Sequence, residues 1–458
     1  MAIAGIAPWC GATAEPLGDL IPGLLKSSEK IVAAQADLDA ARERVNAAYG
    51  GWYPDVRVVG WSGHEHYRNP NQEHLAKEMD LTLTQLIYDF GKTDSRIETA
   101  KLAVAQSEAV LVGTRQGTLL EGATAYVNLF RYAEALNYAR QSEDNIRKQT
   151  GLEKARVEKG GGYSTDVLQA NIQLAGAEAR RVRADFDYAR AINKFRNVFG
   201  REPGKIETFR RVMPPPDLLP DSVDDVVKIA FDNNPSLKAS FLTTLVARES
   251  VTQANAEGYY PKLEAIADIK LKQSVSGTLG NKKEQTYKGQ FTWPFNLGFT
   301  AANTIKAAEY GVVGAETRFA DARATIEEQI RNSWFGLITA KAAAELQRNQ
   351  ASMAEIFLDL ARKERQLGTR SLIDVLSNET NHINAVSDAL GAEADVVVQT
   401  LTMLAVMGRL DTDIITRIAQ YGIAAPPKKK KKADQPDAPK PTEQQEKPAP
   451  EATEATPG

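Results

Sequence analysis

Trp52-Tyr53-Pro54 and Tyr259-Tyr260-Pro261 decide how this chain folds. Each is a pair of aromatics ahead of a proline, and proline drives its predecessor out of the α region. A helix arriving at either motif must switch to extended chain. Four more markers recur in the same order: Ala41-Arg42-Glu43 with Ala247-Arg248-Glu249, Tyr88-Asp89-Phe90-Gly91 with Phe295-Asn296-Leu297-Gly298, Asp166-Val167-Leu168 with Asp374-Val375-Leu376, and Phe199-Gly200 with Met407-Gly408. Each second copy follows its first by 206 to 208 residues. Five ordered markers at near-constant offset indicate one structural unit used twice. The expected units are residues 15–210 and 211–423.

Within each unit the expected order is a helix, two extended segments, a very long helix opened by glycine, and a second helix. The extended segments alternate. Met79, Leu81 and Leu83 oppose Asp80, Thr82 and Thr84; Leu263, Ala265, Ala267, Ile269 and Leu271 oppose Glu264, Ile266, Asp268, Lys270 and Lys272; Phe291 and Trp293 oppose Lys288, Gln290 and Thr292. Period-two patterning with one greasy face suits a membrane barrel with lipid outside and water inside. A half-buried hairpin on a soluble core would read the same way if it stood alone. The long helices break the tie. Lys92 to Lys159 contains no proline, and Thr300 to Leu367 is similar. At 1.5 Å per residue each spans on the order of 100 Å. Such rods need partners along their whole length, as coiled coils do. Their Ala-rich apolar stripes, interleaved with charge, suit lateral packing with one wet face.

The bulk numbers agree. The 458 residues are 43% hydrophobic, 25% charged and only 7% aromatic, with a formal net charge of -3, so no charge bias points to nucleic acid. A single cysteine, Cys10, excludes an intramolecular disulfide and a cysteine-based metal cluster. The start is weakly apolar and carries Ala12-Thr13-Ala14; residues 1–14 are read as a signal peptide lacking its basic start. Residues 424–458, with Pro426-Pro427 and the run Lys428 to Lys432, read as a low-complexity disordered tail. No stretch reads as a membrane-spanning helix; Val396 to Met407, the most apolar, is interrupted by Gln399, Thr400 and Thr402. A membrane crossing would therefore use β-strands.

Four strands per chain cannot close a barrel, and open edges in lipid cost several kcal/mol for each unpaired backbone group. Membrane barrels begin at about 8 strands. Three copies supply twelve. The fold class expected is mainly α with β: a tandem-repeat protomer of a trimeric 12-stranded outer-membrane β-barrel, continued by a long α-helical periplasmic barrel.

At this point residues 20 to 420 resemble the TolC-type outer-membrane efflux and secretion channel family. The resemblance rests on the aromatic-Pro strand entries, on Gln85-Leu86-Ile87-Tyr88-Asp89-Phe90-Gly91 with its counterpart ending at Gly298, and above all on Gly368-Thr369-Arg370-Ser371-Leu372-Ile373-Asp374-Val375-Leu376. It implies a homotrimer in outer-membrane lipid that reaches into the periplasm. It also implies docking to a periplasmic adaptor (a membrane fusion protein) and to an inner-membrane pump or ABC transporter of a tripartite efflux or type I secretion system. The family's periplasmic entrance maps onto two helix junctions, with Thr165 and Asp166 at the first and Arg370 and Asp374 at the second. There Arg370 links to the first junction and Asp374 forms an anionic ring. Two positions depart from the family pattern: Ser377 stands where relatives have a lower ring Asp, and Arg365 stands where they have a latch Tyr, so Arg365 is expected to meet Asp166. The chemistry is sensible in itself, since an Arg facing a carboxylate makes charge-assisted bonds that lock helices. Ser164, Thr165 and Asp166 also suit helix capping, and Asp374 a first helical turn.

No phosphate loop, nucleophile elbow or HExxH is present, so no enzyme and no cofactor is expected. His64-Glu65-His66, with His74 nearby, is placed in an exposed loop between the first two strands and has no companions for a metal site. The competing reading is a soluble periplasmic coiled-coil adaptor or scaffold in which the hairpins form a small β-domain.

Overall fold

The computed structural model describes residues 16–68, 71–205, 209–295 and 297–424. The expected signal peptide and the tail beyond Ala424 lie outside the described residues. Two short helices, α1 (Leu17–Ser27) and α2 (Glu29–Tyr49), lead into strands β1 (Asp55–Arg68) and β2 (Asn71–Tyr88), then into α3 (Lys92–Glu158) and α4 (Ser164–Phe199). The same order follows again: α5 (Val223–Asn233), α6 (Pro235–Tyr259), β3 (Lys262–Val275), β4 (Thr278–Thr292), α7 (Thr300–Gln366) and α8 (Leu372–Val406), closed by α9 (Thr412–Ala424). Both α3 and α7 have 67 residues.

The prolines act where expected. Pro54 and Pro261 fall in the gaps between α2 and β1 and between α6 and β3. Matched left-handed residues punctuate the helix ends: Phe90 and Phe299 before the long helices, Gly160 and Gly368 after them, Gly200 and Gly408 after α4 and α8. Asp89, buried, opens α3 by accepting from Thr93 N at 2.8 Å and Thr93 Oγ1 at 2.5 Å, which satisfies one of the otherwise orphaned N–H groups of the first turn.

The four strands form one antiparallel sheet in the order β1-β2-β3-β4. The upper helices repeat this lateral order: α2 packs on α3, α3 on α6, and α6 on α7. Lower down, α3 pairs with α4, α7 with α8, and α8 joins the two pairs through α3. The main core lies where α1, α3, α4, α8 and α9 meet, around the fully buried Tyr126, Phe195, Leu129, Leu401 and Leu404. Tyr126 packs against Phe209 at 5.0 Å, and its hydroxyl accepts from Arg210 N at 2.8 Å.

Two expectations need correction. The His64-Glu65-His66 segment and His74 are not in a loop: they lie within β1 and β2, and Glu65 pairs directly with His74. The strands run further than the greasy alternation, because polar residues can continue a ladder wherever its face meets water. Helix α8 does contain an 18-residue window of mean hydropathy 1.4, apolar enough by length and composition to cross a membrane. Half of that window is buried in the protein, against α3 and α7, as expected of a core helix.

Candidate functional site

The register joins the alternating patterns into two faces. Val56 pairs with Leu83, Val58 with Leu81, Leu81 with Ile269, Met79 with Leu271, and Leu263 with Phe291. Most of these large side chains are exposed, Met79 at 53% and Phe291 at 62%. A contiguous uncovered apolar face of this kind marks a surface that meets lipid or a partner. The opposite face is a charge ladder. Lys270 lies 3.6 Å from Asp80; Lys272 lies 3.7 Å from Glu78 and 2.9 Å from Glu284; Lys282 lies 2.7 Å from Glu284. Trp61 does not share the greasy face to which the alternation assigns Trp293. It belongs to the polar side and donates Nε1–H to Glu78 at 3.0 Å.

Where strands meet helices the aromatics cluster. Phe90 stacks on Tyr260 at 5.5 Å and meets Tyr88 at 4.7 Å, while Trp293 lies 4.8 Å from Phe295. The Tyr260 of one aromatic-Pro motif thus packs on the Phe90 of the other unit's helix entry. Tyr and Trp rings, such as Tyr88, Tyr260 and Trp293 here, gather in this way at a membrane–water boundary. Among the described residues, β1 and β4, at the sheet's sides, each have only one strand neighbour.

The far ends of the long helices hold the residues singled out for gating. Tyr163, not Ser164, Thr165 or Asp166, is the N-cap of α4, and it makes no side-chain cap bond. The capping role suggested for those three is therefore not realised. Thr165 is exposed and Asp166 half-buried. Ser371 does cap α8, accepting from Asp374 N at 3.1 Å, which puts Asp374 in the first turn with its carboxylate exposed. Arg370 turns back on its own unit: its Nε lies 3.3 Å from Glu364, and its guanidinium sits 5.0 Å from the Phe357 ring centroid. Arg365 does not meet Asp166 within the chain. It reaches Glu153 on α3 at 2.7 Å and the Arg370 carbonyl at 3.3 Å. Glu153 won because it is buried, where a carboxylate without a cation is costly.

The sequence profile of the outer membrane efflux protein family matches residues 20–201 and 226–409. The chain belongs to this family. Its relatives include the outer membrane protein TolC of Escherichia coli, 26% identical over 405 residues, covering 84% of this chain and 80% of TolC. The outer membrane efflux protein BepC of Brucella suis is 23% identical over 414 residues, covering 90% and 89%. Among solved structures, the outer membrane channel CmeC of Campylobacter jejuni superposes with a TM-score of 0.75 at 14% identity, over 91% of this chain and 94% of CmeC. This efflux-family protein is thus an outer-membrane channel component, of a family of conduits rather than enzymes.

Sequence reading missed the polar layer that ties the efflux protein's two helix pairs together. Arg362 on α7 and Asn145 on α3 both grip Glu379 on α8, Asn145 Nδ2 at 2.9 Å, and Glu379 is buried. Arg180 on α4 donates to Thr380 at 3.1 Å. Burial pushes the Arg180 guanidinium down, since a low-dielectric setting disfavours charge. The α3–α4 pair has its own ties. Glu143 accepts from Arg181 at 2.8 Å and from Arg147 at 2.6 Å, and hydrogen bonding to Arg181 holds Asp185 below the usual carboxylate range. One sequence signal was available: Glu379 interrupts an otherwise apolar helical stripe that includes Leu372, Val375, Leu376 and Ile383.

Proposed function

We propose that three copies of this chain close a 12-stranded barrel in the outer membrane and a helical tube below it, forming a passive export conduit. Residues 15–210 and 211–423 act as its two repeat units. The observation that carries this reading is the four-stranded sheet with one exposed apolar face and two open edges. Lipid penalises every unpaired backbone group, so the β1 edge of one copy needs the β4 edge of the next.

The helices support the same seam. Exposed Leu168, Ile172, Val182 and Phe186 fall on one stripe of α4, and Phe335, Ile338, Leu346, Met353, Ile356 and Leu360 on one stripe of α7. Helix α4 packs on α3 and α8, and α7 on α6 and α8, so the stripes lie on different flanks. Head-to-tail contact of unlike flanks is the interface type that closes rings. At the tip, Asp166 and Asp374 have no ion pair and the Thr165 hydroxyl no hydrogen bond among the described residues, which leaves them for a neighbouring copy. Here Arg370, released from Glu364, clamps the Thr165–Asp166 junction, Arg365 anchors the tip through Glu153, and three copies of Asp374 form an anionic ring that favours cations. The energy and cargo selection come from partners at the periplasmic end: an adaptor and an inner-membrane pump or ABC transporter.

Paired cysteines at Val58 on β1 and Gly289 on β4, in a Cys10→Ser background, test the seam. Oxidation should yield covalent trimers from outer-membrane fractions, and the purified protein should form pores in planar bilayers. Monomers under every oxidation condition, without conductance, would overturn the proposal.

A further inference from the structure

The outward end of the sheet contains an arrangement that sealing a barrel does not require. Strand β3 pairs with β2 only as far as Lys77 opposite Gln273, whereas β1 and β2 continue together to Arg68 opposite Asn71. The outer part of β2, Gln72 to Ala76, therefore lacks a β3 neighbour. The turn that ends β3 fills that place by folding sideways. Its register shifts after Gln273, and Ser274, Ser276 and Gly277 all take left-handed backbone, with φ of 51°, 58° and 71°. Ser276 and Gly277 are the central pair of the hairpin turn that Val275 and Thr278 close, a turn that calls for positive φ at both. Ser274, at the register shift, costs on the order of 1 kcal/mol, so contacts elsewhere must hold it.

The holding group is Glu65 on β1. Its Oε2 accepts Ser276 N–H at 2.8 Å and the Tyr67 hydroxyl at 2.9 Å. To bring Ser276 there the turn must cross β2, a lateral reach of about 10 Å at normal strand spacing. The Tyr67 ring stacks on His74 at 5.9 Å, and a Cβ on Gly277 would lie 3.9 Å from it, so the turn rests on the ring. The His74 side chain is only 9% exposed, with Nε2 3.6 Å from Glu65 Oε2 and, among the described residues, no hydrogen-bond partner for either ring nitrogen. Val275 and Ala76 are buried beside it. By the alternation of β1 and β2, Glu65, Tyr67, His74 and Ala76 all belong to the charged face that carries Glu78 and Asp80.

We propose that residues 274–277 form a strap across the water-facing side of the sheet's outward end, clasped by the Glu65 carboxylate, and that this strap limits the width of the channel exit. The inference rests on the barrel reading, which makes the charged face the lumen; three copies then place three straps around one mouth. The strap lies over the Tyr67 ring instead of continuing the ladder beside β2. The clasp holds one backbone N–H and one phenol on a single carboxylate, so losing that carboxylate frees the turn without disturbing strand pairing.

Two measurements on the full-length protein test this. In planar bilayers, in an Arg370→Ala background that removes the tip clamp, Glu65→Ala should raise single-channel conductance by about twofold, as a wider mouth conducts more. Glu65→Gln, whose amide oxygen can still accept both bonds, should conduct like the parent. In intact cells, Ala76→Cys in a Cys10→Ser background should react slowly with a membrane-impermeant maleimide. Adding Glu65→Ala should speed it by about tenfold, as local opening uncovers the position. Trimer yield is followed in every variant. A conducting parent, with neither conductance nor labelling altered by Glu65→Ala, overturns the strap and leaves the barrel standing. A parent that forms neither trimers nor pores overturns both.

Discussion

Helices α3 and α7 have the same length and the same place in their units, yet they bury themselves very differently. Helix α3 carries buried residues along nearly its whole course, from Thr93 to Glu153. Helix α7 buries only scattered positions such as Ile330, Leu337 and Ala361, and exposes Phe335, Leu346, Met353 and Ile356. The difference is one of address. Helix α3 sits between α2 and α6 and also meets α4 and α8, whereas α7 is at the end of the row. A duplicated unit thus acquires an inside and an outside from its position alone, and the outside helix keeps an apolar stripe for another molecule.

Substitutions can break this comparison. The largest effect is expected on the flank: Met353→Asp combined with Ile356→Asp should abolish the proposed trimer while the protomer keeps its helical circular dichroism. Each side chain forfeits about 1.5–3 kcal/mol of burial at every seam. On α3, Tyr126→Ala should instead destabilise the protomer itself by about 3–5 kcal/mol, as a large core truncation does, seen in thermal unfolding. An α7 double variant that still assembles would refute the flank assignment.

The matched glycines sharpen the comparison further. Gly200 and Gly408 end corresponding helices with φ of 67° and 70°. A Cβ on Gly200 meets nothing within 4 Å, but on Gly408 it would lie 2.3 Å from the Asn233 carbonyl oxygen. Gly200→Ala should cost about 1 kcal/mol for the left-handed backbone alone. Gly408→Ala should cost about 3 kcal/mol, because the backbone must also shift. Equal melting temperatures for the two variants would show that the close approach is unimportant.

Smaller effects are expected from the polar layer and from pH. Glu379 corresponds to Asn171, and Arg365 to Val157, so the tip layer has no echo in the other pair. Glu379→Ala should cost about 1–3 kcal/mol, for it strands Asn145 and a half-exposed Arg362, whereas exposed Asn171→Ala should stay within about 0.5 kcal/mol. Glu121 on α3 is held below the usual carboxylate range by hydrogen bonds to Lys194 and Lys30. The corresponding position on α7 is the neutral Gln329. A depressed folded pKa gives stability that is complete above the unfolded value of 4.5 and is lost as pH falls through the folded one. Glu121→Gln should therefore lower the melting temperature at pH 7 by about 2 °C and change it little at pH 3.

Much of the fold was legible because it depends on local chemistry repeated twice. Pro54 and Pro261 set the switch from helix to strand, and the alternation around Leu81 and Ile269 fixed which residues share a face. What escaped depends on contacts between segments far apart in the chain. Arg365 had several acids to choose from, and nothing local distinguishes Glu153 from Asp166; burial does, and burial is set by the neighbouring helix pair. Tyr163 displaced Ser164 as the α4 cap, while its counterpart Ser371 does cap α8, so equivalent positions need not carry equivalent roles. The outward strand ends were hidden because Glu65 and His74 break the greasy rhythm while still obeying the ladder.

The equal span of Lys92–Glu158 and Thr300–Gln366 makes the pair a ruler. Both rods start at the same sheet and finish at the same tip, so neither can gain or lose a turn alone without tilting that tip. Any change in the reach of such a molecule across its compartment has to be written into the gene in two places at once.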